Sequence, residues 1–307
     1  IRRPPRSTLS SSSAASDVYK RQGIDLSDRN PEYDFKWCPG CGDFGVKRAL
    51  EQALGTYTEE FEIPRTSNVI IAGIGCSGNM VHMLDGEQPF GIHGIHGRTL
   101  PIAFGVATSR PELNTIVVAG DGDFLSIGAE HIPPTASRNP NMTCIIMDNG
   151  VYGLTKGQNS PTSSTGQVTT STPFGKLDSQ MKPLELYLSY GVSYIASHYS
   201  SKPKVLAEFI LEGMKHPGFS IVHVQSPCTT YNNTYDILRG NKKDGIPGTA
   251  FIVEEDHDPS DYDAAVALIN KGGVPLGLIY KKEPPTINAV SYTHLRAHET
   301  EADLVCR

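Results

Sequence analysis

The stretch TIVVAGDGD, residues 115–123, decides the fold class. Its apolar run IVVAG has no polar interruption, which is typical of a strand buried on both faces of a parallel sheet. The run leads into a turn of alternating glycine and aspartate, where glycine permits a tight turn. Open α/β sheets bind ligands at the carboxyl ends of their strands, so this turn is a candidate ligand site.

Similar apolar runs recur along the chain and alternate with helical patterns. Predicted strands lie at 68–74, 142–150, 192–197 and 219–227, and predicted helices at 43–55, 98–109, 124–138, 183–190 and 203–215. This alternation predicts an α/β fold with a parallel sheet flanked by helices. We expect Asp43 to cap the first helix, Gly55 to end it, and Pro133-Pro134 to break the third.

Composition excludes several classes of protein. The 307 residues are 38% hydrophobic and 20% charged, which is enough for a sizeable core. The formal net charge of −6 argues against a general nucleic-acid binder. No apolar run approaches the roughly 20 residues that span a membrane. We therefore expect a cytoplasmic protein with no nucleic-acid or membrane partner.

The two ends differ in character from the rest of the chain. Residues 1–22 are serine-rich and basic, and they lack the apolar core of a secretory signal. They and residues 290–307 resemble translated read-through of sequencing adapters, so we expect both segments to be artefacts outside the fold. Between them we predict a single domain over 23–289, with a C-terminal extension from about residue 229.

Two of the turns together resemble a cofactor motif. Gly120-Asp121-Gly122 and Asn149 each lie just beyond a predicted buried strand. This spacing resembles the motif of thiamine diphosphate-binding domains of the pyrophosphate type. A diphosphate needs Mg²⁺, which prefers hard oxygen ligands. Asp121 supplies a carboxylate and Asn149 an amide oxygen, and the resemblance implies the main-chain carbonyl of Val151 as a third ligand.

Four cysteines lie in three separate predicted loops. Cys38 and Cys41 form a C-x-x-C loop, Cys76 follows the first strand and Cys228 follows the last, whereas Cys144 lies inside a strand. The four loop thiolates could hold structural zinc or an iron–sulfur cluster. Disulfides need an oxidising compartment, for which the sequence carries no signal. A thiamine site beside the cysteines favours a [4Fe–4S] cluster, because the electrons left after decarboxylation need an acceptor.

A family resemblance covers about residues 30–255. The motifs WCPGCGDFGV, GIGCSGN, HGIHGRTLPIAFG, GDGD, DNGVYGLTKGQ and SPC occur in this order. They resemble the β subunit of a 2-oxoacid:ferredoxin oxidoreductase of the 2-oxoacid or 2-oxoglutarate type. The resemblance implies that a [4Fe–4S] cluster is held by Cys38, Cys41, Cys76 and Cys228. It also implies that the thiamine cofactor is lined by Ile74, Gly75, Cys76, Ser77, Gly122, Asp123, Gly153 and Leu154.

The resemblance also implies a reaction and partners. A 2-oxoacid is oxidatively decarboxylated to acyl-CoA and CO₂, and electrons pass singly through the cluster to ferredoxin. The implied partners are the 2-oxoacid, coenzyme A, ferredoxin and an α subunit that carries the pyrimidine-binding domain. On the residues alone, two alternatives stay open: a non-oxidative thiamine diphosphate-dependent decarboxylase or synthase component, and a zinc-stabilised non-catalytic subunit.

Three cationic or titratable side chains are candidate catalytic residues. Lys156 follows the metal loop closely and can pair with the substrate carboxylate or gate the site. His96 and Arg98, near His93, can contact the diphosphate or the substrate carboxylate. The alternatives are a solvated loop lysine, exposed imidazoles and a helix-start cap.

Overall fold

The fold is built on one sheet of eight strands. The computed structural model describes residues 37–85, 89–241 and 245–290. The sheet strands are β1 (Asn68–Ala72), β2 (Phe90–His93), β3 (Asn114–Gly120), β4 (Met142–Asp148), β7 (Tyr194–Tyr199), β8 (Phe219–Gln225), β11 (Ala250–Ile252) and β12 (Val274–Lys281). Short antiparallel ladders join β5 (Val151–Tyr152) to β6 (Gln158–Asn159) and β9 (Gly240–Asn241) to β10 (Ile246–Pro247).

The sheet is mostly parallel, as predicted. Its order is β11-β12-β7-β8-β4-β3-β1-β2, and only the β12–β7 pair is antiparallel. The central strands are buried on both faces, which explains why they read as continuous apolar runs. The short strands β2 and β11 carry no such run, and the apolar run of the antiparallel strand β12 contains a proline and a glycine, so all three are absent from the sequence-based prediction.

Helices cover both faces of the sheet. They are α1 (Asp43–Glu60), α2 (Met80–Met83), α3 (Thr99–Ser109), α4 (Ile132–Arg138), α5 (Pro183–Ser189), α6 (Pro203–Lys215), α7 (Tyr235–Arg239) and α8 (Tyr262–Asn270). Leu50 of α1 and Leu206 of α6 share a core with Ile70 of β1. Leu100 of α3 packs with Ile71 on the opposite face. Each such fully buried side chain contributes roughly 2 kcal/mol to stability.

The first helix departs from its prediction at both ends. Gly42 is its N-cap, and Asp43 lies in the first turn with its carboxylate turned toward Ser226, 2.6 Å from Oγ. Gly55 lies inside the helix, which continues to Glu60. A glycine costs about 1 kcal/mol in a helix, which is less than the burial of Leu54 beside it returns.

The segment predicted as one broken helix at 124–138 is three short pieces. A π-helical turn at Asp123–Ile127 and a 3-10 turn at Ala129–His131 precede α4. Pro133 and Pro134 lie in the first turns of α4 instead of breaking a helix, because the missing N–H groups are not needed there.

Two further predictions concern the ends and the membrane. Segment 1–22, and all of 290–307 except its first residue, lie outside the described residues. Within the described ranges, no helix has the length and apolar character needed to cross a bilayer.

Candidate functional site

The unusual turns gather at one edge of the sheet. β8, β4, β3 and β1 are adjacent and parallel, so their carboxyl ends lie side by side. Ser226 N donates to Asp148 O at 2.8 Å, which joins the turns after β8 and β4. Gly73 N donates to Val118 O at 3.0 Å, which joins the turn after β1 to β3. This edge is therefore the candidate site.

Asp121 has a buried side chain at this edge. Its Oδ1 accepts a hydrogen bond from Asn149 N at 3.3 Å, and its Oδ2 accepts one from Thr162 Oγ1 at 2.6 Å. Burial and the nearby Asp148 carboxylate raise the pKa of Asp121 to about 7. Among the described residues, Asp123 and Asp148 each pair with a histidine, whereas Asp121 pairs with no cationic side chain. A buried carboxylate without a cationic side-chain partner is a suitable ligand for a divalent cation.

The turn after β4 brings further oxygen atoms beside Asp121. Asn149 Oδ1 accepts from Val151 N at 3.0 Å, which closes a turn on the asparagine side chain. Gly150 has a φ of +67°, and a Cβ there would lie 2.7 Å from Asn232 Nδ2. Asn232 Nδ2 donates to Asn149 O at 2.8 Å and holds the turn. Carboxylate, amide and carbonyl oxygens form a donor set that suits Mg²⁺.

Asp123 has a different environment from Asp121. Its Oδ1 accepts from Ile74 N at 3.1 Å and from Gly97 N at 2.8 Å, and it pairs with His96 Nδ1. Its Oδ2 is buried and has no hydrogen-bond partner within the described part of the chain. The Asp123 carboxylate thus ties the loops after β1 and β2 to the turn after β3. His96, a predicted catalytic residue, is one of the partners of this carboxylate.

The other two candidate catalytic side chains, Arg98 and Lys156, make no hydrogen bond to Asp123 among the described residues. Arg98 donates to Ile127 O at 2.8 Å and pairs with Glu130 at 3.2 Å, so it braces the π-helical turn. Lys156 is exposed and has a φ of +86°, an unusual conformation for a residue with a side chain. His93 Nδ1 lies 2.8 Å from His82 Nε2.

The residues predicted to line the cofactor differ in how exposed their side chains are. Ser77 is buried, whereas Ile74 and Leu154 are exposed at the edge. Gly75 has a φ of +130° with open space where a Cβ would stand, and Gly122 lies against the ring of Tyr152.

The C-x-x-C loop reaches the same edge from α1. Cys41 N donates to Cys38 O at 3.0 Å, which closes the loop. Gly42 N donates to Pro227 O at 3.1 Å, directly before Cys228. Trp37 Nε1 donates to Cys76 O at 2.7 Å. The loop is therefore attached to both of the other cysteine-bearing turns.

The four loop thiols are close enough to interact electrostatically. Burial raises the pKa of Cys76 to about 12, and the nearby Asp43, Cys228 and Cys38 contribute to the rise. The pKa of Cys41 is raised further still, by burial and by the nearby Asp43, Cys76 and Cys228. Among the described residues, no three His, Cys, Asp or Glu side chains converge tightly enough to hold a single ion. Cys144 is buried inside β4, and the five thiols of the described residues are free.

Gly153 connects the metal loop to the cysteines. It lies two residues after Val151, and a Cβ at Gly153 would lie 3.4 Å from Cys76 Sγ and 3.8 Å from Cys228 Sγ. The same short loop therefore carries the oxygen donors and contacts the sulfur atoms.

Asp43 lies beneath the cysteines with no cationic partner among the described residues. It is buried, and burial raises its pKa to about 6. Ser226 Oγ donates to its Oδ1 at 2.6 Å, while its Oδ2 has no hydrogen-bond partner in the same described ranges. The negative charge of Asp43 disfavours free thiolates beside it and favours thiolates that bind cationic iron or another metal.

Two family models match the chain. Thiamine pyrophosphate enzyme, C-terminal TPP binding domain, matches residues 73–224, and the model for the C terminal of the pyruvate ferredoxin oxidoreductase beta subunit matches residues 228–292. The 2-oxoacid:ferredoxin oxidoreductase subunit beta of Saccharolobus solfataricus is 37% identical over 254 residues, which cover 80% of this chain and 82% of that protein. The chain belongs to the β subunits of 2-oxoacid:ferredoxin oxidoreductases.

Further similarities agree with this membership. Subunit beta of 2-oxoacid:ferredoxin oxidoreductase 1 from Aeropyrum pernix is 36% identical over 254 residues, covering 80% of this chain and 77% of that protein. A solved 2-oxoglutarate:ferredoxin oxidoreductase from Magnetococcus marinus, with 2-oxoglutarate, coenzyme A and succinyl-CoA bound, matches with a TM-score of 0.78 and 38% identity. That match covers 91% of this chain and 92% of the other.

The predicted family, fold and enzyme class are confirmed for this β subunit. It is part of an oxidoreductase and contains a thiamine diphosphate-binding domain. Membership selects the oxidoreductase over the non-oxidative enzyme and the non-catalytic subunit, which the residues alone had left open.

Some residues of this β subunit's site escape prediction from the sequence. Asp43 is expected only as a cap, and Thr162 lies in a polar run, SPTSST, that carries no spacing signal. His223, inside β8, pairs with Asp148 at 3.0 Å between Nε2 and Oδ2. The only signal in the sequence is the position of Asp43 two residues after Cys41 of the C-x-x-C loop.

Proposed function

We propose that this β subunit holds thiamine diphosphate through Mg²⁺ bound by Asp121, Asn149 and the main-chain carbonyl of Val151. The support is the donor set, which combines a buried carboxylate that lacks a cationic partner among the described residues with amide and carbonyl oxygens of one turn. Further cofactor contacts are proposed at Ile74, Gly75, Cys76, Ser77, Gly122, Gly153 and Leu154. The Asp123 carboxylate acts through the loops that it holds.

The second proposed group is a [4Fe–4S] cluster on Cys38, Cys41, Cys76 and Cys228. Zinc binds sulfur at about 2.3 Å, so its four sulfur ligands must crowd within about 4 Å of one another. A four-iron cube spreads its thiolates farther apart. Thiols that interact electrostatically without converging on one point favour the cluster.

The observation that carries the function is the position of Gly153. This residue continues the proposed magnesium loop, and a Cβ there would contact the sulfur atoms of Cys76 and Cys228. Electron transfer weakens steeply with distance, so a redox enzyme needs the two groups as neighbours. A zinc site with a purely structural role has no such requirement.

The proposed reaction is the oxidative decarboxylation of a 2-oxoacid to acyl-CoA and CO₂. Bound thiamine diphosphate supplies the electron sink, and the cluster supplies one-electron transfer to ferredoxin. The ligands of the Magnetococcus marinus enzyme support a 2-oxoacid substrate and coenzyme A as acyl acceptor. We propose that Lys156, exposed and in no ion pair among the described residues, binds an anionic group of the substrate. His96 and Arg98 position the surrounding loops.

An α subunit is the proposed partner at this edge. Several large apolar side chains stand exposed on loops of the site, among them Ile95 at 73% and Leu154 at 52%. Exposed apolar groups around a polar site are typical of a protein interface. The α subunit is proposed to cover them and to supply the pyrimidine-binding domain.

The test compares Cys228→Ser with Cys144→Ser in the anaerobically purified αβ enzyme. We expect about four iron and four sulfide ions per wild-type β chain, with a broad charge-transfer band in the visible spectrum. Cys228→Ser is expected to lose or degrade the cluster and to stop ferredoxin reduction, while Mg²⁺-thiamine diphosphate still binds by calorimetry. Cys144→Ser, which changes a buried thiol away from the site, is expected to keep all three properties.

Two results would overturn the proposal. One is zinc without iron in the wild-type enzyme. The other is normal ferredoxin reduction by Cys228→Ser. Unchanged cofactor affinity in both Asp121→Ala and Asn149→Ala would separately refute the magnesium assignment.

A further inference from the structure

One buried hydroxyl lies between two carboxylates at the proposed magnesium site. Thr162 Oγ1 is 2.6 Å from Asp121 Oδ2 and 2.7 Å from Asp148 Oδ1. Thr162 is only 5% exposed. A hydroxyl carries one hydrogen, so it donates to one carboxylate at a time. Its position still fixes the distance and the relative orientation of the two.

The segment 160–181 holds Thr162 in place through its main chain. Gln180 Nε2 donates to Thr162 O at 2.8 Å. On either side, Lys176 Nζ donates to Pro161 O at 3.0 Å and to Ser163 O at 2.9 Å. Every carbonyl from 161 to 163 is therefore occupied. A threonine held at its main chain has little freedom to move its hydroxyl.

The lysine in this arrangement is unusual. Lys176 is 6% exposed, and lysine is rarely buried without a carboxylate partner. No ion pair among the described residues includes it, and its contacts are the two carbonyls beside Thr162. The segment thus places a buried cation where it orders the main chain around Thr162.

Asp148 is in turn held from the other side. Its Oδ2 lies 3.0 Å from His223 Nε2, and His223 Nδ1 lies 3.3 Å from the Tyr187 hydroxyl. Both of these partners are buried. Asp148 therefore forms a fixed support against which Thr162 holds Asp121.

We propose that Thr162 is a positioning residue that orients the Asp121 carboxylate for Mg²⁺. This inference rests on the proposed function, in which Asp121 binds the metal. Outer-shell hydrogen bonds orient metal-binding carboxylates, and their loss typically weakens metal affinity about 10–100-fold. Thr162 Oγ1 donates to Asp121 Oδ2 at 2.6 Å, whereas Asn149 N donates to Oδ1 at 3.3 Å. The nearby Ser160 hydroxyl also interacts with this carboxylate and, like the Thr162 hydroxyl, counteracts the rise in its pKa.

The experiment measures Mg²⁺ affinity in the assembled αβ enzyme. Wild type, Thr162→Val, Thr162→Ser and Thr165→Val are stripped of cations with EDTA and titrated with Mg²⁺ at saturating thiamine diphosphate by calorimetry. Thr165→Val is the matched control, because Thr165 is exposed in the same segment and its hydroxyl donates to Asp178 O at 3.1 Å.

Thr162→Val is expected to raise the Kd for Mg²⁺ about 10–100-fold. Thr162→Ser keeps the hydroxyl and is expected to retain wild-type affinity, as is Thr165→Val. At saturating Mg²⁺ the kcat of Thr162→Val is expected to recover toward wild type, with an unchanged KM for the 2-oxoacid. A residue with a purely structural role would not give this recovery. If Thr162→Val fails to fold, Thr162→Ala removes the same hydroxyl with less bulk.

An unchanged Mg²⁺ Kd in the folded valine or alanine variant overturns the proposal. A serine variant as weak as the valine variant also overturns it, because packing would then explain the loss. Failure of the proposed function has a separate signature: the wild-type enzyme itself would bind neither Mg²⁺ nor thiamine diphosphate.

Discussion

Replacing Asp121 by asparagine is expected to stabilise the metal-free enzyme while abolishing Mg²⁺ binding. The carboxylate is buried beside Asp148 and pairs with no cationic side chain among the described residues. The asparagine side chain can keep the neighbouring hydrogen bonds. Its oxygen accepts from Asn149 N, and its amide nitrogen donates to Thr162 Oγ1, whose own hydrogen then goes to Asp148.

The size of the gain follows from the pKa of Asp121. Burial and Asp148 raise this pKa from 3.8 to about 7, so the folded state binds its proton more tightly than the unfolded state does. The ionised group therefore costs stability above pH 7, by about 4 kcal/mol. As the pH falls the folded protein takes up the proton, and the cost shrinks to about 2 kcal/mol at pH 5 and toward zero below pH 4.

The assay is thermal unfolding of the αβ enzyme in EDTA, from pH 8 to pH 5. Asp121→Asn is expected to melt roughly 6 °C above wild type at pH 8, with a smaller difference at pH 5. Adding Mg²⁺ and thiamine diphosphate is expected to raise the melting temperature of wild type only. Asp123→Asn is the matched control and is expected to destabilise, because it removes the charge that pairs with His96 and places an amide N–H group where the buried Oδ2 has no hydrogen-bond partner among the described residues.

The reasoning fails if Asp121→Asn is no more stable than wild type at pH 8 in EDTA. It also fails if the gain does not shrink as the pH falls. Either result would mean that the metal-free site does not hold a costly buried charge.

Three further substitutions test local features by thermal unfolding and activity. Gly55→Ala, inside α1 with open space around it, is expected to stabilise the chain by about 0.5–1 kcal/mol; a lower melting temperature would contradict this. Gly122→Ala overlaps the Tyr152 ring, with Cδ1 only 2.8 Å from the new methyl, and is expected to cost about 1–3 kcal/mol; wild-type stability would show that the ring moves freely. Lys156→Gly relieves a φ of +86° and is expected to gain about 1 kcal/mol while lowering turnover of the 2-oxoacid; full turnover would remove Lys156 from the proposed substrate contacts.

Local sequence patterns were enough to predict the central strands and the turns that follow them. β1, β3, β4 and β8 are buried on both faces, and each therefore carries an apolar run that can be read without tertiary information. The helix at 203–215 was predicted with the bounds that α6 has. Because parallel strands end at a common edge, the gathering of their turns follows from the strand assignment.

Segments without a strong local pattern were missed or misread. The exposed strand β2 has no buried residue, and the antiparallel strand β12 contains a proline and a glycine. Gly55 resembles a helix stop in the sequence, but burial of neighbouring leucines outweighs its small penalty. These outcomes depend on packing partners that a local pattern does not contain.

The sequence by itself therefore determined the fold class, the family motifs and the residue types of the site. Only the tertiary structure decided which of those residues act on each other. Ser226 donates to Asp43 across 183 positions of sequence, and Thr162 donates to Asp121 across 41. Hydrogen bonds of this kind leave no periodic or compositional trace, because their geometry is created by the sheet that brings distant turns together.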